Sequence, residues 1–86
     1  MKYLHYQFNA NEGNQVEVVL RGNAANIMLI DDSNFINYKA GGSFRYYGGH
    51  YTMSPVLITV PYAGHWNLVI DLGGAVGHVD ASVRVI

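Results

Sequence analysis

The most informative part of the sequence is Gly64-His65-Trp66-Asn67-Leu68-Val69-Ile70-Asp71-Leu72. Successive side chains of a β-strand point to opposite faces, so an alternation of large apolar residues predicts a strand with one buried side. The apolar face would carry Trp66, Leu68, Ile70 and Leu72. The opposite face would carry His65, Asn67, Val69 and Asp71. We therefore predict a strand in which one side faces the core.

The segments on either side of this strand carry the same alternation. Their inward-facing residues would be Leu4, Tyr6 and Phe8, then Val16, Val18 and Leu20, then Ala25, Ile27 and Leu29, then Val56, Ile58 and Val60, and finally Val79, Ala81, Val83 and Val85. No helical period extends over three turns, so essentially no helix is expected, and residues 35–39 are interpreted as a short strand. About seven to nine short strands separated by Gly, Asn and Pro predict one all-β domain over residues 1–86, an antiparallel sandwich or barrel.

Two glycine-rich stretches are interpreted as hairpin turns. Gly48 and Gly49 separate residues 43–47 from residues 50–53, and residues 73–77 separate the Trp66 strand from the last strand. Glycines between two strand-like runs are typical of tight hairpins. One register of the second hairpin would place Asp71 beside His78, Asn67 beside Ser82 and His65 beside Arg84.

Charge and cysteine content exclude several kinds of function. Five Lys and Arg oppose six Asp and Glu, with no basic block, so binding to duplex nucleic acid is not expected. The absence of cysteine excludes disulfides and thiolate metal sites. The first residues lack the apolar run of a signal peptide, and no stretch is long enough for a membrane span. A cytoplasmic protein without membrane contact is therefore expected.

The surface is expected to be partly covered by a partner. Charged residues make up 13% of the chain, whereas about 25% is typical of globular domains. The chain also has seven tyrosines. A small surface that is poor in charge and rich in tyrosine predicts a homo-oligomer or a larger partner.

The densest group of recognition residues lies between residues 38 and 51. Tyr and Arg carry much of the energy at binding surfaces, and neighbouring glycines let a ligand approach the backbone. At least one of two adjacent strand tyrosines must face away from the core. The candidate ligand-binding residues are Tyr38, Lys39, Arg45, Tyr46, Tyr47, Gly48, Gly49, His50 and Tyr51.

A second candidate group follows from the predicted register of the last hairpin. A carboxylate beside an imidazole can orient it for acid–base chemistry, so His65, Asp71 and His78 could serve a hydrolase or lyase. Arg84 would lie next to them. No Ser or Cys nucleophile is placed beside the group, and a cross-strand surface contact explains the pairing equally well.

Metal sites are not predicted. The run Asp31-Asp32-Ser33-Asn34 offers oxygen ligands, but it lacks the spacing of a calcium loop, and side-chain turns explain it. His5, His50, His65 and His78 lie on separate segments without zinc-ligand spacing. No cofactor is expected.

Several motifs together resemble a family of small bacterial domains of unknown function. They are Gly22-Asn23-Ala24-Ala25-Asn26, Tyr46-Tyr47-Gly48-Gly49, Ser54-Pro55-Val56, Gly64-His65-Trp66 and Asp71-Leu72-Gly73-Gly74. The resemblance implies an all-β sandwich without catalytic residues. It also implies a link to TIR domains of anti-phage immunity, to which some family members are fused. Leu29-Ile30-Asp31 and Val60-Pro61 are similar to jelly-roll modules of the GOLD type, which implies a jelly-roll-like sandwich.

Four hypotheses for the function follow. The leading one is a non-enzymatic binding or sensing module that recognises a small molecule or a protein, such as a TIR-domain protein, through the hairpin around Gly48 and Gly49. The second is a hydrolase or lyase that uses His65, Asp71 and His78. The third is a single-stranded nucleic-acid binder that stacks bases on tyrosines. The fourth is a structural component of an oligomer.

Overall fold

A computed structural model describes residues 3–74 and 77–86 of the chain. The elements are β1 (Tyr3–Ala10), β2 (Gln15–Gly22), β3 (Ala25–Asp31), α1 (Asp32–Lys39), β4 (Tyr47–Tyr51), β5 (Val56–Thr59), β6 (Gly64–Asp71) and β7 (Val79–Val85). They form a four-stranded sheet in the order β1-β6-β3-β4 and a three-stranded sheet in the order β5-β2-β7. All strand pairs are antiparallel. The predicted antiparallel sandwich-like fold is confirmed.

The main core lies between the two sheets and follows the predicted alternation. Trp66, Leu68 and Ile70 of β6 are almost fully buried, as are Val16 and Val18 of β2. The core also includes inward-facing residues of β3, of β5 and of the segment after β5. They are Ala25, Ile27, Leu29, Val56, Ile58 and Val60. Apolar burial between two sheets is the main stabilising contribution in such a fold.

The predicted strand at residues 35–39 is wrong, because these residues belong to helix α1. The helix begins after Asp31, whose carboxylate accepts a hydrogen bond from the backbone N–H of Asn34 at 2.9 Å. Such a side-chain bond satisfies one of the backbone donors that a helix start leaves unpaired. Phe35 and Tyr38 are three residues apart and both point at the sheet. A helix of eight residues is too short to show a period over three turns, which is why the pattern did not reveal it.

The helix covers the outer face of the four-stranded sheet and creates a second core. This outer core consists of Met28, Ile30, Phe35, Tyr38 and Val69. The polar side chains Asn67 and Asp71 of β6 are also buried there. The prediction that only one side of the Trp66 strand faces a core is therefore wrong, since β6 is buried on both sides.

Both predicted hairpins are wrong. Gly48 and Gly49 lie inside the single strand β4, which pairs with β3 at the edge of the four-stranded sheet. Strand β6 pairs with β1 and β3, whereas β7 pairs with β2 in the other sheet. Asp71 and His78 are therefore not cross-strand neighbours. Ala75 and Val76 of the predicted second turn lie outside the described residues.

Helix α1 is too short to cross a membrane, and no helix in residues 3–74 or 77–86 has the length and apolar character of a span.

Candidate functional site

A cleft of about 300 Å³ opens on the outer face of the four-stranded sheet, between α1 and β4. We call it the aromatic cleft. Its lining residues are Asn26, Met28, Tyr38, Phe44, Tyr46, Gly49, Asp71 and Gly73. They come from β3, α1, the segment before β4, β4 itself, and the end of β6. The cleft therefore joins distant parts of the chain that only the folded sheet brings together.

Three aromatic rings form one wall of the aromatic cleft. The rings of Tyr38 and Phe44 meet edge to face with their centroids 5.1 Å apart. Phe44 in turn contacts the ring of Tyr46 at 5.5 Å. Tyr38 is buried, while the side chain of Tyr46 is 45% exposed. The wall thus runs from the outer core to solvent, and its outermost ring can reach a ligand.

The carboxylate of Asp71 lies at the buried end of the aromatic cleft. It accepts hydrogen bonds from the Tyr38 hydroxyl at 2.7 Å, the Asn26 side-chain amide at 3.0 Å and the Gly73 backbone N–H at 2.9 Å. Burial and the hydrogen bond to Asp71 raise the pKa of Tyr38 well above its usual range, so the hydroxyl remains a donor. Within residues 3–74 and 77–86, no Lys, Arg or His forms an ion pair with Asp71.

The amide of Asn26 links this carboxylate to the rim of the cleft. Its Nδ2 donates to Asp71, so its Oδ1 is turned toward Nδ1 of His50, 3.2 Å away. Because a carbonyl oxygen can only accept, His50 must carry a proton on Nδ1. His50 is exposed on the same face of β3 and β4, directly opposite Asn26 in the register. Hydrogen bonds at both its nitrogen and its oxygen therefore fix the orientation of the Asn26 amide.

The two glycines of β4 differ in their surroundings. A Cβ on Gly49 would meet no atom within 4 Å, which leaves the backbone open to a ligand at this position. Gly48 has a φ of +140°, and a Cβ there would overlap the carbonyl oxygen of Ile27. Gly48 is therefore required by the close approach of β4 to β3 and not by a ligand.

One family model covers the whole of this two-sheet domain. The family model described as "Domain of unknown function (DUF1883)" matches residues 1–86. The chain belongs to the DUF1883 family. No curated protein and no solved structure matches it.

The DUF1883 fold brings some of the predicted ligand-binding residues together. Tyr38, Tyr46 and Gly49 line the aromatic cleft, and His50 bonds the Asn26 amide at its rim. Asp71, predicted for the second group, also lines this cleft. The cleft thus combines members of both groups, although the predicted hairpin that motivated the first group does not exist.

The remaining residues of the first group lie elsewhere. The ring of Tyr47 meets the ring of Trp66 edge to face on the inner side of the sheet, with their centroids 6.1 Å apart. Tyr51 packs against the main core. Arg45 is exposed and donates its backbone N–H to Asn34. Lys39 lies with its ammonium 5.0 Å from the Phe35 ring. Because Tyr46 and Tyr47 are on opposite sides of the sheet, the tyrosines do not form one continuous stacking surface for bases.

The acid–base group predicted from His65, Asp71 and His78 is assembled only in part, because Asp71 and His78 line one cleft and His65 lines another. His65 bonds Asp32 at 2.8 Å, and Asp71 bonds Tyr38, Asn26 and Gly73. The backbone N–H of His78 donates to Asn23 while its side chain is exposed.

Arg84 also lies apart from the other three, because it forms an ion pair with Glu17 on the three-stranded sheet. The predicted register that grouped these residues is wrong, because β6 and β7 lie in different sheets.

Potential metal ligands are not grouped either. Within the described ranges, no three His, Asp or Glu side chains are placed to hold an ion. Asp31 caps α1 and accepts bonds from Ser33 and Asn34, as the turn interpretation of residues 31–34 expects.

Sequence reasoning missed Asn26, Phe44, Gly73 and Asp32 as members of polar or aromatic clusters. Asn26 and Asp71 are direct neighbours in the β3–β6 register. This pairing joins residues 45 positions apart, and no local pattern indicates which strands pair over such a separation. A polar residue on the outward face of both strands was the only available signal.

Proposed function

We propose that this protein is a non-enzymatic binding module whose aromatic cleft holds a small cationic group, an amine or a quaternary ammonium. The observation that carries the proposal is the buried Asp71 carboxylate beneath the rings of Tyr38, Phe44 and Tyr46. The cation could belong to a free small molecule or to a side chain of a partner protein. Both sources share the same chemistry at the cleft.

The carboxylate supports a cationic ligand. A buried charge is costly unless it is paired or well hydrogen-bonded, and a bound cation would complete the pairing of Asp71. The three hydrogen bonds that Asp71 accepts come from neutral groups, namely an amide, a hydroxyl and a backbone N–H. An anionic ligand would face the repulsion of this carboxylate, and none of the described residues that line the cleft is a Lys or Arg.

The aromatic wall supports the same ligand. A cation within about 6 Å of an aromatic ring is attracted by the electron density of the ring face, typically by about 0.5–2 kcal/mol. Tyr46 is accessible from solvent, whereas Tyr38 and Phe44 extend the wall toward Asp71. A trimethylammonium group also suits such a site because it offers apolar methyl groups together with a charge.

A matched pair of ligands tests the proposal. Choline and its neutral isostere 3,3-dimethyl-1-butanol have the same shape and differ in charge. We expect choline to bind about tenfold more tightly than the alcohol, as about 1.4 kcal/mol of cation attraction predicts. Titration of the ¹⁵N-labelled protein, followed by amide chemical shifts around Gly49 and Gly73, measures both affinities. A trimethyllysine peptide and free choline then distinguish a protein side chain from a small molecule.

Two substitutions locate the binding. Tyr46→Ala and Asp71→Asn should each weaken choline binding at least several-fold. Tyr47→Ala is the matched control, because Tyr47 is as exposed as Tyr46, at 46% against 45%, but lies on the other side of β4. Equal binding of the two ligands, or equal effects of Tyr46→Ala and Tyr47→Ala, would contradict the proposal.

The proposal includes two kinds of protein partner. The first is a second copy of the chain, supported by the charged content of 13% and by exposed apolar side chains such as Met53 and Leu57. The second is a TIR-domain protein, which rests on the sequence resemblance. Co-elution of the two purified proteins tests the second partner, and separate elution would count against it.

A further inference from the structure

A second cleft lies on the other side of α1, between the helix and β1. It has a volume of about 520 Å³. We call it the histidine cleft, and its lining residues are Tyr3, His5, Gln7, Asp32, Phe35, Ile36, Lys39, His65 and Asn67. It shares no lining residue with the aromatic cleft. An inference about it therefore stands independently of the proposed function.

A chain of hydrogen-bonded side chains crosses the floor of the histidine cleft. Nε2 of His5 lies 2.8 Å from Oδ1 of Asn67, and Nδ2 of Asn67 lies 2.8 Å from Oδ1 of Asp32. The same carboxylate oxygen lies 2.8 Å from Nδ1 of His65. Asn67 is 1% exposed and its Nδ2 also donates to the backbone carbonyl of Ile30. A buried amide thus holds two imidazoles and a carboxylate in place.

The partners fix the position of each proton. The Ile30 carbonyl and the Asp32 carboxylate only accept, so the Asn67 amide nitrogen must face them and its oxygen must face His5. His5 therefore carries a proton on Nε2, and His65 carries one on Nδ1. Hydrogen bonds from His65 and then Asn67 hold the pKa of the Asp32 carboxyl below its usual range, so this group stays ionised. Nδ1 of His5 and Nε2 of His65 are the nitrogens left for a second proton.

A second proton on each imidazole would give the cleft a net positive charge. Among the described lining residues, Lys39 carries a permanent positive charge and Asp32 a negative one. The ring of Tyr3 packs edge to face against that of His5, with the two centroids 6.3 Å apart. His5 also stacks on Phe35 at 4.2 Å. When both imidazoles are charged, His5, His65 and Lys39 oppose the single carboxylate of Asp32, which is already bonded to His65 and Asn67.

We propose that the histidine cleft is a binding site for a small oxyanion, which it holds when His5 and His65 are protonated. The imidazolium N–H groups and the Lys39 ammonium would donate to the oxyanion, which is a charge-assisted interaction stronger than a neutral hydrogen bond. The oxyanion is either tetrahedral, as in a sulfate or phosphate, or planar, as in a carboxylate. The two clefts beside α1 would then take ligands of opposite charge.

Sulfate is the probe of choice because its charge does not change between pH 6 and pH 8. We expect sulfate to bind at least tenfold more tightly at pH 6 than at pH 8, since histidine side chains lose their charge over this interval. The measurement is a titration of the ¹⁵N-labelled full chain at constant ionic strength, with sodium chloride as the balancing salt. Acetate in a parallel titration distinguishes a planar from a tetrahedral oxyanion.

Three single substitutions locate the sulfate. His65→Gln and Lys39→Gln should each weaken binding at pH 6 by about tenfold, and His65→Gln should also reduce its pH dependence. His78→Gln, an exposed histidine outside the cleft, should leave the affinity unchanged. Sulfate binding that is equal at both pH values, or equal in His65→Gln and His78→Gln, would overturn the proposal. Either result would leave choline binding at the aromatic cleft unaffected, so the two failures are distinguishable.

Discussion

Gly48 and Gly49 are neighbours in one edge strand, yet they are needed for different reasons. Gly48 has the left-handed φ of +140° and lies against the backbone of Ile27, where a side chain would overlap the carbonyl oxygen. Gly49 lies in open space beside the aromatic cleft. The dipeptide therefore has one residue that the strand pairing requires and one at which a Cβ would meet no neighbouring atom.

Alanine substitutions separate these two roles. Gly48→Ala should destabilise the fold by about 2 kcal/mol or more, because the positive φ alone costs about 1–3 kcal/mol for a residue with a Cβ. Gly49→Ala is the matched control and should change the stability by less than about 1 kcal/mol. Urea unfolding followed by Trp66 fluorescence measures both. Similar midpoints for the two variants would show that β4 does not approach β3 as described.

Helix α1 depends on Asp31 more than on the helical tendency of its own residues. An isolated helix of eight residues is not stable in water, so its stability comes from its cap and from packing on the sheet. Phe35 and Tyr38 supply the packing. Asp31 supplies the cap and also accepts a hydrogen bond from the Tyr62 hydroxyl at 3.0 Å. It thereby connects the start of the helix to the loop before β6.

Removal of this cap should weaken the fold. Asp31→Ala should cost about 1–2 kcal/mol, whereas Asp31→Asn should retain most of the stability because Asn caps helices nearly as well as Asp. Chemical denaturation at neutral pH measures the difference. An equal loss in both variants would show that the charge of Asp31 matters more than its capping oxygen.

The stabilities of wild type and Asp31→Asn should depend differently on pH because of the Asp31 carboxyl. Partial burial raises its pKa, but hydrogen bonds from Asn34, Tyr62 and Ser33 outweigh this effect and hold the pKa below the ordinary value of 3.8. A group with a lowered pKa in the folded state stabilises the fold above its unfolded pKa and loses this contribution as the pH falls through the folded pKa. Wild type should therefore lose stability relative to Asp31→Asn below about pH 4.

Across the whole molecule, the outer faces of the two sheets differ in how far they are covered. The four-stranded sheet is covered by α1 and carries both clefts. The three-stranded sheet is open to solvent and bears the cross-strand ion pairs Arg84–Glu17 and Arg21–Asp80. Such exposed pairs contribute little to stability. Several large apolar side chains are exposed as well, among them Met53 at 79%.

Self-association is the expected consequence of this surface. The chain has a mass of 9.5 kDa, so light scattering coupled to size-exclusion chromatography should give a mass of about twice that value or more at micromolar concentration. Contacts made by apolar side chains should persist in 0.5 M sodium chloride, because salt screens charges and does not weaken apolar burial. A mass of one chain at low and high salt would contradict the expectation.

The residue pattern alone is enough to predict the two-sheet architecture and its main core. An alternation of polar and apolar residues is local information, and it correctly placed Trp66, Leu68 and Ile70 inside. Such a pattern needs no knowledge of which strands pair, since burial of one face of each strand is enough. The sequence signals of the short helix are the cap at Asp31 and the spacing of Phe35 and Tyr38. Both are local, and the helix is too short to show a periodic pattern.

Contacts that form only in the folded molecule set the strand order, the second buried face of β6 and both clefts. Asp71 meets Asn26 and Tyr38, and Asp32 meets His65 and Asn67, through contacts between residues that are more than 30 positions apart. Pairing over such distances is set by how well whole faces pack together, and the same alternation is compatible with several strand orders. The sequence therefore supplied the chemical groups of the candidate sites, and the fold determined which of them meet.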